Sequence, residues 1–242
     1  MDLELLGLRL RKLAVALGHT RCWPALALGV TPSVEQLGVL RSLSVDGVID
    51  VGANRGQFTL ACQLVHPGVP VVAFEPIPAE AQTFRRVHGA SPQVLLVQSA
   101  LGETPGSATL HLSQSADSSS LLPIGRRQTE IFAHTAQVGE ITVPVQRLDD
   151  LAAHWTGRTG QLLKLDVQGY ELSVLRGATS TLRSCRYVYA ECSEEELYEG
   201  QPLRADVAAF LKGHGFGEPV RFNPHRHEGK LIQADYLFPR AP

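Results

Sequence analysis

The chain has 242 residues, 44% of them apolar, and a formal charge of -2. That length carries one α/β domain with a substantial core, and so small a charge removes the electrostatic case for nucleic-acid binding. No apolar run reaches the length of a membrane span, and the start Met1-Asp2-Leu3-Glu4 lacks the basic residues of a secretory signal. Cys22, Cys62, Cys185 and Cys192 have no metal-ligand spacing; two of them lie in or beside expected buried strands, where cysteine behaves as a small hydrophobe, and the compartment reads as reducing and cytoplasmic.

In chain order, Leu3, Leu6, Leu10, Leu13 and Leu17 recur at helical spacing, which predicts one face of a helix packed on the domain. A homodimer contact and a membrane-surface helix are the alternative readings of that face. Thr31-Pro32 reads as the cap and first residue of a second helix burying Val34, Leu37, Leu40 and Leu43. Residues 1–44 are therefore expected to form N-terminal helices packing on a core that fills 45–242. The core pattern alternates: strands near 46–51, 69–75, 94–97, 161–166 and 186–192, with helices near 56–66, 78–88, 170–175 and 203–212. Residues 107–112 and 141–145 alternate as an inserted strand pair around a polar stretch, 113–139, expected to be a mobile loop. Ser193 and Glu196 have the spacing of a capping box. Two late strands, near 217–222 and 230–238, close the pattern with one antiparallel edge strand. The expected class is α/β, a Rossmann-like, doubly wound, mostly parallel sheet.

Four of the strands end in a carboxylate: Asp50, Glu75, Asp166 and Glu191. In open α/β sheets ligands bind at that carboxyl edge. After Asp50 comes Val51-Gly52-Ala53-Asn54-Arg55-Gly56, a glycine turn feeding a helix whose N-terminal N–H groups are free. A dinucleotide turn needs a glycine where Asn54 stands, and Asp50 would repel a pyrophosphate. Both features suit a nucleoside cofactor that carries positive charge. Glu75 is placed to accept the two ribose hydroxyls.

Val48 to Gly56, Phe74-Glu75-Pro76, Ser99-Ala100-Leu101-Gly102, Asp117 to Ser120, Arg147-Leu148-Asp149 and Leu163 to Glu171 together resemble the FkbM family of S-adenosylmethionine-dependent methyltransferases. The resemblance runs on through Glu191-Cys192-Ser193 and Leu197 to Leu203, and covers about 45 to 238. It implies a class I methyltransferase fold over 45–242. It also implies O-methylation of a hydroxyl on a small molecule or glycan, such as a sugar of a glycan or glycolipid, or a secondary metabolite. Carried onto this chain, it assigns cofactor binding to Asp50, Gly52, Ala53, Asn54, Gly56, Phe58, Glu75, Pro76, Ser99, Ala100 and Leu101, with Ser118 and Ser119 closing over the site.

Lys164 and Asp166 stand two apart on one strand and share a face. A buried lysine needs a partner, and Glu191 or Glu171 is the expected one. Asp166 is the first candidate to contact the acceptor hydroxyl and His134 the second; Lys164 would hold the carboxylates together, and Glu171 would support them from the following helix. His225 and His227 could chelate a metal but lack a third ligand, so no metal is expected. Two other functions fit a similar sheet: a dinucleotide-dependent oxidoreductase, and a non-catalytic adaptor that uses the leucine face for a partner.

Overall fold

A computed structural model of the chain describes residues 3–155 and 157–241. The N-terminal segment forms α1 (Leu3–Gly18), the single turn α2 (Trp23–Leu26) and α3 (Leu37–Ser42). The alternating core follows: β1 (Gly47–Val51), α4 (Gln57–Val65), β2 (Val71–Phe74), α5 (Pro78–His88), β3 (Val94–Val97) and the short β4 (Ala100–Leu101). Then come β5 (Gly106–Ser113), α6 (Arg126–Ile131), β6 (Gln137–Gln146), β7 (Gln161–Leu165), α7 (Glu171–Arg176), β8 (Cys185–Ser193), α8 (Arg204–Gly213), β9 (Val220–His227) and β10 (Lys230–Pro239).

Seven strands form one sheet in the order β3-β2-β1-β7-β8-β10-β9. All neighbours are parallel up to β8, and β10 runs antiparallel to both β8 and β9. The one reversed strand therefore lies one place in from the edge. The chain winds outward from β1 to β3 and returns to β7 beside β1, so the switch point, and with it the ligand crevice, lies at the carboxyl ends of β1 and β7. The central strands are buried on both faces; every residue of β1 and β7 is buried, as two-sided coverage by helices requires. Ile49, Leu163 and Val188 pack toward one helix layer, while Val48, Leu162 and Tyr189 pack toward the layer containing α3 and α4.

Several expectations are corrected. The inserted pair is a three-stranded sheet, β4-β6-β5. The stretch 113–139 is folded rather than a loose loop: it contains α6 and a 3-10 turn at Ala116–Ser118, and it buries Ser120 and Gln128. Thr31 caps nothing; a 3-10 turn begins at Val34 and α3 at Leu37, although Val34, Leu37, Leu40 and Leu43 are buried as expected. Ser193 ends β8 instead of starting a helix, and the cap forms later, where Asp206 Oδ2 accepts the Leu203 N–H at 2.9 Å and closes the start of α8.

The leucine face of α1 is turned to solvent: Leu10 is 59%, Leu13 42% and Leu17 57% exposed. Leu8, Val15 and Ala16 make the packed side instead, and Lys12 joins it because its ammonium reaches Glu35 at 3.0 Å. The side chain of Leu3 lies outside the described residues. The helix has two apolar sides, and the shape of the surface it meets selects the narrower one.

Candidate active site

Strand register builds two rows of polar side chains at the switch point. In the inner row Asp50 pairs across β1 and β7 with Lys164, and Lys164 pairs with Tyr189; paired residues project to the same face. Lys164 Nζ lies 3.1 Å from Asp50 Oδ1 and 3.6 Å from Asp166 Oδ2. It also donates to the carbonyl oxygens of Val51 at 3.2 Å and Gly52 at 2.8 Å and stands 5.6 Å above the Phe58 ring. Asp50 is completely buried, and its Oδ2 accepts the Thr59 hydroxyl at 2.7 Å. Burial would strip the lysine of its proton, but the carboxylates of Asp50 and Asp166 outweigh it and raise the Lys164 pKa.

Lys164 therefore pairs with Asp50, and not with Glu191 or Glu171. Register explains the correction, because Asp50 is its immediate neighbour across the strands. Glu171 is buried in the first turn of α7, where Oε1 accepts the N–H groups of Val167 and Gly169, each at 3.2 Å. It ties down the loop after β7 and lines neither of the site's two cavities. Burial pushes its pKa up to about 7 against those bonds.

The outer row is Asp166, Glu191 and Asp235. Asp166 follows Leu165, which pairs with Ala190, and Glu191 pairs with Asp235. Gln168 Nε2 links the first two, donating to Asp166 Oδ1 at 2.9 Å and Glu191 Oε2 at 2.8 Å. The Tyr198 hydroxyl fixes that amide by donating to Gln168 Oε1 at 2.7 Å. Gln233 Nε2 donates to Glu191 Oε1 at 3.0 Å. Asp235 Oδ2 accepts the Tyr189 hydroxyl at 2.6 Å and the Asn223 amide at 2.7 Å. Burial raises the pKa of both Glu191 and Asp235, and the charge of Asp166 adds to each. Gln168 and Asn223 both hold left-handed backbone, at φ 53° and 44°, so local strain frames this rim.

Two cavities meet there. The first, about 620 Å³, is lined by Gly52, Asn54, Phe74, Glu75, Pro76, Ile77, Ser99, Ala100, Leu101, Ser119, Val167 and Tyr170 among others. The second, about 880 Å³, is bounded by Lys12, Glu35, Ala53, Phe58, Lys164, Glu191, Asn223 and Asp235 among others. Gly52, Asn54, Asp117 and Asp166 line both.

The first cavity has the features of a nucleoside cleft. Glu75 at its floor is 4% exposed. Its two oxygens accept the N–H groups of Asn54 at 2.8 Å and Ile77 at 2.7 Å, which fixes the carboxylate for further hydroxyl donors. Burial carries its pKa up to about 7. Gly52 holds φ 74°, and a Cβ there would lie 1.8 Å from the Asp166 carbonyl oxygen, so only glycine lets the turn pass this close. Asn54 takes φ 49° in place of a glycine and satisfies itself by accepting the Arg55 N–H at 2.8 Å. Ser99 Oγ is fully buried in the wall without a hydrogen-bond partner. A fixed carboxylate, a close-approach glycine and an unpaired hydroxyl along an apolar slot fit an adenosine group.

Of the residues expected at the site, Gly52, Asn54, Glu75, Pro76, Ser99, Ala100, Leu101, Ser119 and Asp166 line the first cavity, and Ala53, Phe58 and Lys164 line the second. Asp50 lines neither, being enclosed by Thr59 and Lys164. Gly56 is also absent from both; its missing Cβ makes room for the His88 ring, whose Nε2 would be 2.3 Å away. Ser118 turns its carbonyl to the Tyr198 hydroxyl at 3.0 Å. His134 is exposed at φ 64° in the turn between α6 and β6 and reaches neither cavity. Residues not anticipated at the site include Tyr170, Asp117, Lys12, Asn223 and Asp235. Asp235 ends no apolar run in the sequence, and only antiparallel pairing of β10 brings it to Glu191.

The model of the methyltransferase FkbM domain matches residues 50–217. The chain is 30% identical to the 2-O-methyltransferase NoeI of Sinorhizobium fredii over 65% of this chain and 68% of that protein. It is 32% identical to the 31-O-demethyl-FK506 methyltransferase FkbM of Streptomyces tacrolimicus over 71% of this chain and 72% of that one. Among solved structures, the N-terminal domain of EvdMO1 crystallised with SAH and D-fucose superposes with a TM-score of 0.49 at 13% identity, covering 86% of this chain and 84% of that domain; the chain spans 37% of the whole EvdMO1 chain. The chain belongs to the FkbM methyltransferase family and is an S-adenosylmethionine-dependent O-methyltransferase.

Proposed function

We propose that the acceptor is a hydroxyl of a sugar, free or within a glycan or glycolipid, held in the second cavity with Asp166 as the base that takes its proton. The observation that carries this reading is the position of Asp166 on the wall shared by both cavities. S-adenosylmethionine, when bound, supplies a methyl group made electrophilic by its sulfonium. The chain has to align the acceptor oxygen, exclude water and receive one proton. Glu75, Gly52, Asn54 and the Ser99–Leu101 wall would hold the nucleoside end.

The second cavity is walled by Asp166, Glu191, Asn223 and Asp235, with Phe58 and Ala53 as its apolar contribution. That surface matches a polyhydroxylated ring better than an apolar metabolite. Glu191 and Asp235, whose pKa values burial raises, add carboxyl groups to that wall that can hydrogen-bond acceptor hydroxyls. Asp166, with 39% of its side chain exposed and Lys164 3.6 Å away, is the acid left open to accept. Lys164 and Glu171 act as positioning residues, and His134 drops out of the reading because it faces neither cavity. Four buried free thiols suit work in the reducing cytoplasm, and no helix among the described residues is long and apolar enough to cross a membrane.

The test is methyl transfer from labelled cofactor to a panel of sugars, oligosaccharides and apolar alcohols, read by mass spectrometry. Sugar acceptors should gain one methyl, and Asp166→Asn should cut turnover about 100-fold while cofactor affinity holds. Unchanged turnover in that variant would remove Asp166 from the chemistry, and preference for apolar alcohols would reject the sugar assignment.

A further inference from the structure

Seven large hydrophobic side chains are exposed among the described residues, and four of them, Leu10, Leu13, Leu17 and Trp23, fall in the N-terminal helices. The other three, Leu95, Val138 and Val220, belong to separate strands and are the scattered kind that needs no explanation. The leucines of α1 instead recur every three or four residues along one side, which makes a continuous strip. Trp23, 56% exposed, extends the strip past the helix end, with its indole N–H bound to the Leu17 carbonyl at 3.2 Å.

Charge identifies what the strip meets. From residue 1 to residue 34 the sequence contains Arg9, Arg11, Lys12 and Arg21 against Asp2 and Glu4, an excess of two positive charges in a chain whose formal charge is -2. On a helical projection Arg9 lies beside the leucines and Arg11 at the opposite edge of the exposed face, past Ala14, and both are exposed. Lys12 points away to Glu35 at the wall of the second cavity. An apolar strip bordered by guanidiniums and ended by a tryptophan is the pattern of a helix lying in a membrane interface. Leucines enter the acyl boundary, the arginines stay with the headgroups, and tryptophan prefers the interface itself.

A second copy of the chain fits the strip poorly. A two-fold axis through the middle of α1 would set Arg9 and Arg11 of one copy against those of the other. One strip of leucines also falls well short of the roughly 800 Å² per partner that a stable dimer uses.

We propose that α1, with Trp23, docks the protein onto an anionic lipid surface without spanning it. Docking is independent of which acceptor the second cavity takes. It does place the helix that walls that cavity against the bilayer.

Sedimentation with vesicles tests this. Full-length protein is mixed with vesicles of phosphatidylcholine alone or with about one third phosphatidylglycerol, at low and high salt. The bound fraction should be large only with phosphatidylglycerol and should fall as salt rises. Leu10→Gln/Leu13→Gln/Leu17→Gln, and separately Arg9→Glu/Arg11→Glu, should each weaken partition roughly tenfold or more. All five replaced side chains are exposed, so melting temperature and S-adenosylhomocysteine affinity should stay at wild-type values. The proposal is overturned if wild-type protein stays in the supernatant at every composition, or if the leucine variant binds as well as wild type. It is equally overturned if sedimentation equilibrium shows a dimer that the leucine variant abolishes.

Discussion

The two polar rows at the switch point each contain an aspartate, stand two positions apart along β7 and β8, and behave differently. In the inner row Asp50 is sealed between Thr59 and Lys164 and reaches neither cavity. In the outer row Asp166 is open to both cavities and meets Lys164 only at 3.6 Å. One rung of a parallel sheet is about 7 Å along the strand for every second residue. That step moves a carboxylate from the core, where its charge must be matched, to the edge, where it is free for chemistry. A strand-end acid is therefore informative only once its height on the strand is known.

The inner row should break hardest. Lys164→Met leaves Asp50 charged and fully buried with no counter-ion, and should destabilise the fold by about 3–5 kcal/mol. Adding Asp50→Asn should recover a large part of that in chemical denaturation, because the orphaned charge is then gone. If the double variant is no more stable than the single one, the pair is not what the inner row supplies. Smaller and different in kind is the effect of Asp235→Asn in the outer row. It changes a group in the wall of the second cavity that Tyr189 and Asn223 hold in place. The expected result is a rise in acceptor KM of about tenfold, near 1.4 kcal/mol, with melting little altered. A loss of stability equal to that of Lys164→Met would erase the contrast between the rows.

Much of this was legible in the residues alone. Apolar runs ending in Asp50, Glu75 and Asp166 gave the central strands to within a residue or two of β1, β2 and β7, since burial on both faces leaves little choice of residue. Pairings between distant strands were not legible. Lys164 announces a need for a counter-ion, but only register selects Asp50 over Glu191. The Ser193–Glu196 pattern has cap spacing, yet β8 runs through Ser193 and pairs it with Gln233. The leucine repeat in α1 was real while its direction was not, because Leu8, Val15 and Ala16 offered the fold a second apolar side. The α6 helix, six residues of mixed polarity, is too short to leave a periodic trace.

Glu171 sharpens the comparison through pH. Burial raises its folded pKa from the ordinary glutamate value of 4.5 to about 7. The folded state therefore holds a proton that the unfolded chain has released between those two values. Stability from this group is complete below about pH 4.5 and is lost as pH rises through 7, a total of roughly 3 kcal/mol. Glu171→Gln keeps an oxygen for the Val167 and Gly169 N–H groups, both of which point to one carboxylate oxygen, and cannot ionise. Urea denaturation from pH 5 to 8 should show the variant gaining on wild type as pH rises. A constant difference would mean that Glu171 does not titrate in this range.

The smallest effect is expected at Ser99, where the free and loaded protein should respond with opposite signs. Its hydroxyl is fully buried in the cleft wall with no partner, and an unpaired buried polar group costs about 1–3 kcal/mol. Removing it by Ser99→Ala should leave the free protein as stable as wild type or about 1 kcal/mol more so. If the hydroxyl is there for the nucleoside, the same change should weaken S-adenosylhomocysteine binding by about 1 kcal/mol, roughly fivefold. Thermal melting without ligand and calorimetric titration with it read the two signs separately. Equal affinity in both proteins would mean that Ser99 only fills the wall and that the adenosine end is held by Glu75 and the glycine turn.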